Sequence, residues 1–209
     1  MKRIYSVIFS LSFLYLLAAC GSTYVEEDPA AGLVREEPVP TIPSYTGPKT
    51  AVAVLPLGLS ARAAKRYPHL LEKSVGLGVH NMVLDVLFDT KRFRFVEEKP
   101  EIIEDIINRQ VMSQSGFVAQ EKAIEYGKML GARKVIYGEV FEYAQGGETI
   151  SGFSARQGFR HVVGVQIVYT DVETGEKLSF GSDRAFGSSH GEATDKAIRR
   201  AVYKMIDRL

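Results

Sequence analysis

Cysteine is nearly absent from this chain: among its 209 residues only Cys20 is one. No disulfide can form within the chain, so the fold rests on burial without a covalent staple. A charge excess of either sign is missing too. The 26 basic and 25 acidic residues leave a formal charge of +1 at pH 7. A nucleic-acid binder would show a basic stripe, so this balance argues against one. Histidines are few: His69, His80, His161 and His190. No two of them stand at the i, i+4 spacing of a helical metal site, and no thiolate is free to help. Beyond residue 19 there is no long apolar run, so nothing after it crosses a membrane as a helix.

What the chain does have is a distinctive beginning. Lys2 and Arg3 precede an apolar stretch, Ile4 to Leu17, broken only by the hydroxyls of two tyrosines and three serines. The stretch is shorter than the ~20 residues of a membrane-spanning helix, and no charged flank follows it. Small residues lead to a cleavage point, the layout of a secretory signal peptide. Leu17-Ala18-Ala19-Cys20 resembles the bacterial lipobox, which implies that cleavage leaves Cys20 as an acylated N-terminus, with palmitate-type chains anchoring it to a membrane. Each buried methylene adds roughly 0.8 kcal/mol, so several chains on one cysteine hold firmly. Gly21 and Ser22 follow; the aspartate that retains some lipoproteins in the inner membrane is absent, which by the same resemblance favours the outer membrane. Removing residues 1–19 takes away two cations and no acid, so the charge moves to −1.

Residues 20–48 read as a lipidated tether. Five of the eight prolines and five acids lie between Gly21 and Pro48, against the single cation Arg35. Such a segment buries too little to offset its ordering entropy. Extended, it reaches at most roughly 80–90 Å at ~3.1 Å per residue. It is either a plain tether or one whose end docks on the domain or a neighbour.

Residues 49–209 are long enough for one domain. Ala51 to Leu57 is a continuous apolar run, as a strand buried on both faces requires. His69 to Thr90 carries a helical stripe that includes Leu70, Val79, Val83, Val86 and Leu87, with Pro68 at its entrance. Phe93 to Val96 makes a short strand. Pro100 opens a helix bearing Ile102, Ile103, Ile106, Ile107 and Val111. A third helix runs from Ala119 to Leu130, with Gly131 as its C-terminal cap. Lys134–Tyr143, Arg160–Val172 and Lys177–Gly187 read as a three-strand meander, with Gly175 left-handed in the turn between the last two. Ser189 and Glu192 have capping-box spacing before a last amphipathic helix. The order β-α-β-α-α-β-β-β-α predicts an α/β (α+β) mixed sheet flanked by helices.

Signs of chemistry are sparse, and we expect no enzyme, catalytic residue, cofactor or metal. His80 and His161 read as structural. Gly76-Leu77-Gly78 lacks the third glycine of a dinucleotide fingerprint and sits inside a helix; the better reading is close approach of another backbone. Ser188, Ser189, His190 and Glu192 are triad ingredients, but they are neighbours at a helix start, where capping accounts for Ser189 and Glu192. Lipidation at Cys20 is the one assigned site.

About residues 46–208 resemble the curli-production assembly/transport lipoprotein family, the CsgG-like proteins. The likeness is carried by Thr46-Gly47-Pro48-Lys49 before the first strand, Tyr67-Pro68, and Asp89-Thr90-Lys91-Arg92-Phe93 leading to Phe95-Val96-Glu97. It continues through Asn108-Arg109-Gln110, Leu130-Gly131-Ala132, Val135-Ile136-Tyr137-Gly138-Glu139-Val140 and Val168 to Glu176. The resemblance implies a CsgG-like periplasmic domain, on the periplasmic face of the outer membrane, packing side by side into a homo-oligomeric ring with secretion or envelope-assembly partners. The family's membrane hairpins need roughly 20 or more alternating residues each. Ala144–Phe159 is shorter and polar, so a collar is expected rather than an autonomous pore. The alternative is a regulator resembling the tethered lipoprotein activators of penicillin-binding proteins, acting on an inner-membrane cell-wall enzyme.

Overall fold

Two surfaces of β1 must be covered if Thr50–Val54 is apolar on both sides, and the fold covers both. The computed structural model describes residues 38–72, 75–112, 118–146 and 160–209. β1 (Thr50–Val54) leads to β2 (Gly58–Leu59), α1 (Ala61–Arg66), α2 (His69–Glu72) and α3 (Val75–Asp89). Then come β3 (Phe93–Phe95), α4 (Pro100–Met112) and α5 (Gln120–Met129). β4 (Lys134–Gly146), β5 (Arg160–Asp171), β6 (Lys177–Gly187) and α6 (His190–Asp207) complete the chain. The sheet order is β3-β1-β4-β5-β6, with β2 also paired to β4. β1, β2 and β3 run parallel to their neighbours, and β4, β5 and β6 form an antiparallel meander. This is the expected mixed sheet flanked by helices.

Alternation along the strands sorts residues into two cores. Val52, Val54, Ile136, Val140, Val165 and Ile167 face one side with Val83 and Leu87 of α3 and Ile198, Val202 and Met205 of α6. Ala53, Leu55, Val135, Tyr137 and Val168 face the other, with Ile102 and Ile106 of α4 and Ala123 and Tyr126 of α5. Each large apolar side chain so buried contributes roughly 1.5–3 kcal/mol. α6 lies so close to β6 that a Cβ at Gly181 would sit 1.8 Å from the Ala201 carbonyl oxygen. The Ser179 hydroxyl donates to the Met205 carbonyl at the same crossing, 2.5 Å away.

The local signals behave as their chemistry requires. Pro100 is the first residue of α4. Gly131 and Gly175 both take positive φ, +70° and +75°. Residues 69–72 and 75–89 of the predicted helix His69–Thr90 are helical, as α2 and α3, and residues 73 and 74 lie outside the described residues. Two features differ from expectation. β2 and α1 went unpredicted: the two residues of β2 have no period of their own and are placed by pairing with Glu139 and Val140. Close backbone approach fails at Gly78, where an added Cβ meets nothing within 4 Å.

The described residues begin at Pro38, inside the stretch read as tether. Ile42 packs against the core beneath α3 and α6. Arg92 lies 4.6 Å from the centre of the Tyr45 ring. The last part of the tether is therefore docked on the domain, the sharper of its two sequence readings.

Candidate functional site

The features that the fold does not need for its own cores gather where the meander outruns the parallel strands. β1 pairs with β4 at Lys134–Ile136 and β2 at Glu139–Val140. Beyond Val140, among the described residues, β4 keeps only β5 as a strand neighbour. A β-bulge falls at this point, so that the register jumps from Val140↔Val165 to Glu142↔Gly164. Bulges re-aim side chains. Here the extra residue, Phe141, lays its ring over Gly164, where a Cβ would be 2.3 Å from the ring.

On this side a cleft of about 440 Å³ opens between α1 and β4. Its lining includes Arg62, Arg66 and Tyr67 from the α1 segment, Glu139, Phe141 and Glu142 from β4, and Arg184 from β6. The helix is fixed at its start by Ser60, whose Oγ accepts from the Ala63 N–H at 3.1 Å. Arg184 reaches Glu142 at 3.6 Å. Among the described residues no carboxylate lies within 4.0 Å of Arg62 or Arg66. Burial pushes the Glu139 carboxyl up from its ordinary value.

The other face of the same end holds a ring cluster. Tyr143 stacks on His190 with centroids 4.0 Å apart and planes 12° from parallel. His161 meets His190 edge-on at 4.2 Å. Burial first, and then the neighbouring His161, push the His190 imidazole below its ordinary value. Among the described residues, the Nδ1 atoms of both histidines are buried without a hydrogen-bond partner. The sequence missed this pairing because the two residues are 29 apart and meet only through the β5–α6 packing.

His80 is 2% exposed and its Nε2 lies 2.9 Å from Glu98 Oε1, tying α3 to the segment before α4. His69 is exposed and lies edge-on to Tyr67. Ser189 caps α6 by accepting from the Glu192 N–H at 3.2 Å. Glu192 returns its carboxylate to the backbone N–H and hydroxyl of Ser188, one residue farther back than a standard capping box. Ser188, Ser189 and Glu192 form a cap, and the His190 ring turns to the ring cluster. Cys20, and residues 147–159 of the connection read as too short for a membrane hairpin, lie outside the described residues. Among the described residues, no helix is long and apolar enough to cross a membrane, and no three His, Cys, Asp or Glu gather as a metal site.

The family model for curli production assembly/transport component CsgG matches residues 43–180. No curated protein matches the sequence. Among solved structures, the PelC dodecamer from Paraburkholderia phytofirmans is 17% identical with a TM-score of 0.47, covering 79% of this chain and 96% of that one. Lipoprotein GNA1162 from Neisseria meningitidis is 15% identical with a TM-score of 0.38, covering 66% and 83%. The LpoB C-terminal domain from Escherichia coli is 16% identical with a TM-score of 0.33, covering 68% and 87%. With the family match extending over most of the folded residues, the chain belongs to the family of the curli production assembly/transport component CsgG.

Proposed function

We propose that this chain is a lipoprotein of the outer membrane, anchored through acylated Cys20, whose periplasmic domain assembles side by side into a ring. The ring serves export or assembly of a fibre subunit or another secreted polymer. Membership of the CsgG family across residues 43–180 is the observation that carries this reading. Two further features support it. The sheet ends in two edge strands, β3 and the eleven-residue β6, and a long edge offers unpaired backbone groups to a neighbour. Phe180 on β6 is 50% exposed. Docking at Ile42 and Tyr45 also leaves only residues 21–41 between the anchor and the docked segment. They reach at most roughly 65 Å at ~3.1 Å per residue, which favours a collar close to its own membrane over a long-range regulator.

The test is the mass of the full-length acylated protein in mild detergent, by light scattering or mass photometry. A discrete species of many subunits is expected, and Cys20→Ala should release the protein from the membrane fraction. A monomer or dimer would overturn the ring and leave the tethered regulator, whose activity shortening residues 21–37 should abolish.

A further inference from the structure

The cleft beside α1 shares only Ala63 and Tyr67 with a core, and among the described residues its charges are not balanced. Three arginines, Arg62, Arg66 and Arg184, face two glutamates, Glu139 and Glu142. Glu142 is paired with Arg184. Arg62 and Arg66 are one helical turn apart on α1, so their guanidinium groups lie over the same side of the cleft. The lining thus carries a formal +1, which one monoanion neutralises. A dianion would leave a negative charge beside Glu139. Tyr67 and Phe141 supply an apolar floor, and the volume is that of a small-ligand site.

The strand next to the cleft narrows the choice of monoanion. From Phe141 to Gly146 the outer side of β4 has no strand partner among the described residues. Backbone N–H and C=O groups on such an edge accept an added strand. The arginines stand at the start of this free edge. An extended chain whose negative charge lies at its own C-terminus would have to come in from the Gly146 end, antiparallel to β4. We propose that the cleft captures the C-terminal carboxylate of an extended peptide segment between Arg62 and Arg66, the segment adding as an antiparallel strand to the outer edge of β4. Arginine forks suit a carboxylate by charge-assisted, bidentate hydrogen bonds. The apolar floor selects an apolar last side chain, and Glu139 and Glu142 disfavour acidic residues just before it. The bulge is part of the site, since it sets Phe141 in the lining of the cleft.

This reading stands within one subunit and does not depend on the ring. The probe is a fluorescein-labelled hexapeptide, Lys-Thr-Val-Thr-Val-Leu, with a free C-terminal carboxylate, titrated by anisotropy against the full-length protein in detergent. Saturable binding is expected. It should weaken at least tenfold for the C-terminal amide, at least tenfold for the Arg62→Gln/Arg66→Gln double variant, and markedly on raising salt from 20 to 300 mM, because the paired charges are exposed. Both arginines are exposed, so the variant should keep the parent's circular dichroism and melting temperature. Equal binding of acid and amide, equal binding by the double variant, or no binding at millimolar protein would overturn the proposal. So would displacement of the peptide by a uronic-acid trisaccharide at low concentration together with failure of unlabelled peptide to compete.

Discussion

From Lys134 to Val140, β4 has β5 on one side and β1 or β2 along most of the other; from Phe141 to Gly146, among the described residues, it keeps only β5. The first part holds Val135, Ile136 and Tyr137, all within 1% of complete burial. The second holds Tyr143, half-buried, and ends at a ring cluster with buried unpartnered nitrogens. The same strand therefore serves two purposes. Its parallel-paired part fixes the fold, and its outrunning part presents Phe141 and Glu142 to the cleft and Tyr143 to the margin of a core. Backbone polar groups and charges left over in this way are where binding is to be sought, because folding alone does not explain them.

The largest effect should separate the two parts. Tyr137→Ala removes a ring at 1% exposure between α4, α5 and the sheet. Urea unfolding should show a loss of about 3–5 kcal/mol, the range for truncating a buried aromatic side chain. Tyr143→Ala removes a ring that packs on the core at its margin and stacks on His190. It should cost about 1 kcal/mol, close to the value of a single ring pair with modest burial. Equal losses would break the distinction between the two parts of β4.

Most of the first part was legible in the sequence, and most of the second was not. The run Ala51–Leu57, the stripe on α3 and the isoleucines of α4 announce buried faces through period alone. Gly131 and Gly175 announce helix and turn ends because only a few residue types accept positive φ. The cleft had no such signal. Arg62 and Arg66 are ordinary surface residues on a helix too short to show a period, and Glu139 falls in a strand pattern. Their convergence is set by the parallel pairing of β2 with β4, a contact about 80 residues apart in the chain. The bulge at Phe141 was unreadable for the same reason: its ring packs over Gly164 on the neighbouring strand, a contact that exists only once β4 and β5 pair.

A middle-sized effect should appear on acidification and belongs to the outrunning end alone. His190 titrates below its ordinary value of 6.5 in the folded protein, because of burial and of His161. Below pH 6.5 the unfolded chain then binds more protons than the folded one, so stability falls as pH drops toward the folded value and levels off beneath it. His190→Phe keeps a ring against Tyr143 and removes the titration. Melting temperature measured from pH 7.5 to 5 should decline in the parent and flatten in the variant. The carboxylates of Asp171 and Glu192 stand apart from this window. Lys134 first, with the Thr174 and Glu173 N–H groups, holds Asp171 at about 2, and Lys196 first, with Ser188, holds Glu192 at about 2. Their contributions are lost only as pH falls below the ordinary carboxylate range.

The smallest effect tests whether the parallel-paired region is as relaxed as its burial suggests. Two helices there end in the same way. After α5, Gly131 at φ +70° donates to the Lys128 carbonyl and Ala132 donates to the Gly127 carbonyl, the double bond of a Schellman cap. After α3, Lys91 takes the equivalent left-handed position at φ +56° and donates to the Phe88 carbonyl. The second bond is replaced there by a buried side chain. The Thr90 hydroxyl donates to the Leu87 carbonyl at 2.6 Å and accepts from the Arg92 N–H at 3.3 Å. Thr90 thus holds a lysine in a conformation that costs an L-residue roughly 1–2 kcal/mol. Lys91→Gly relieves that cost and adds back the freedom of glycine in the unfolded chain, so a net gain of about 0.5 kcal/mol is expected in urea unfolding. Combined with Thr90→Val, the gain should disappear into a net loss, because the Leu87 carbonyl and the Arg92 N–H then lose the bridge that shapes the turn into β3. A gain that survived Thr90→Val would mean that glycine alone closes this cap, as it does at Gly131.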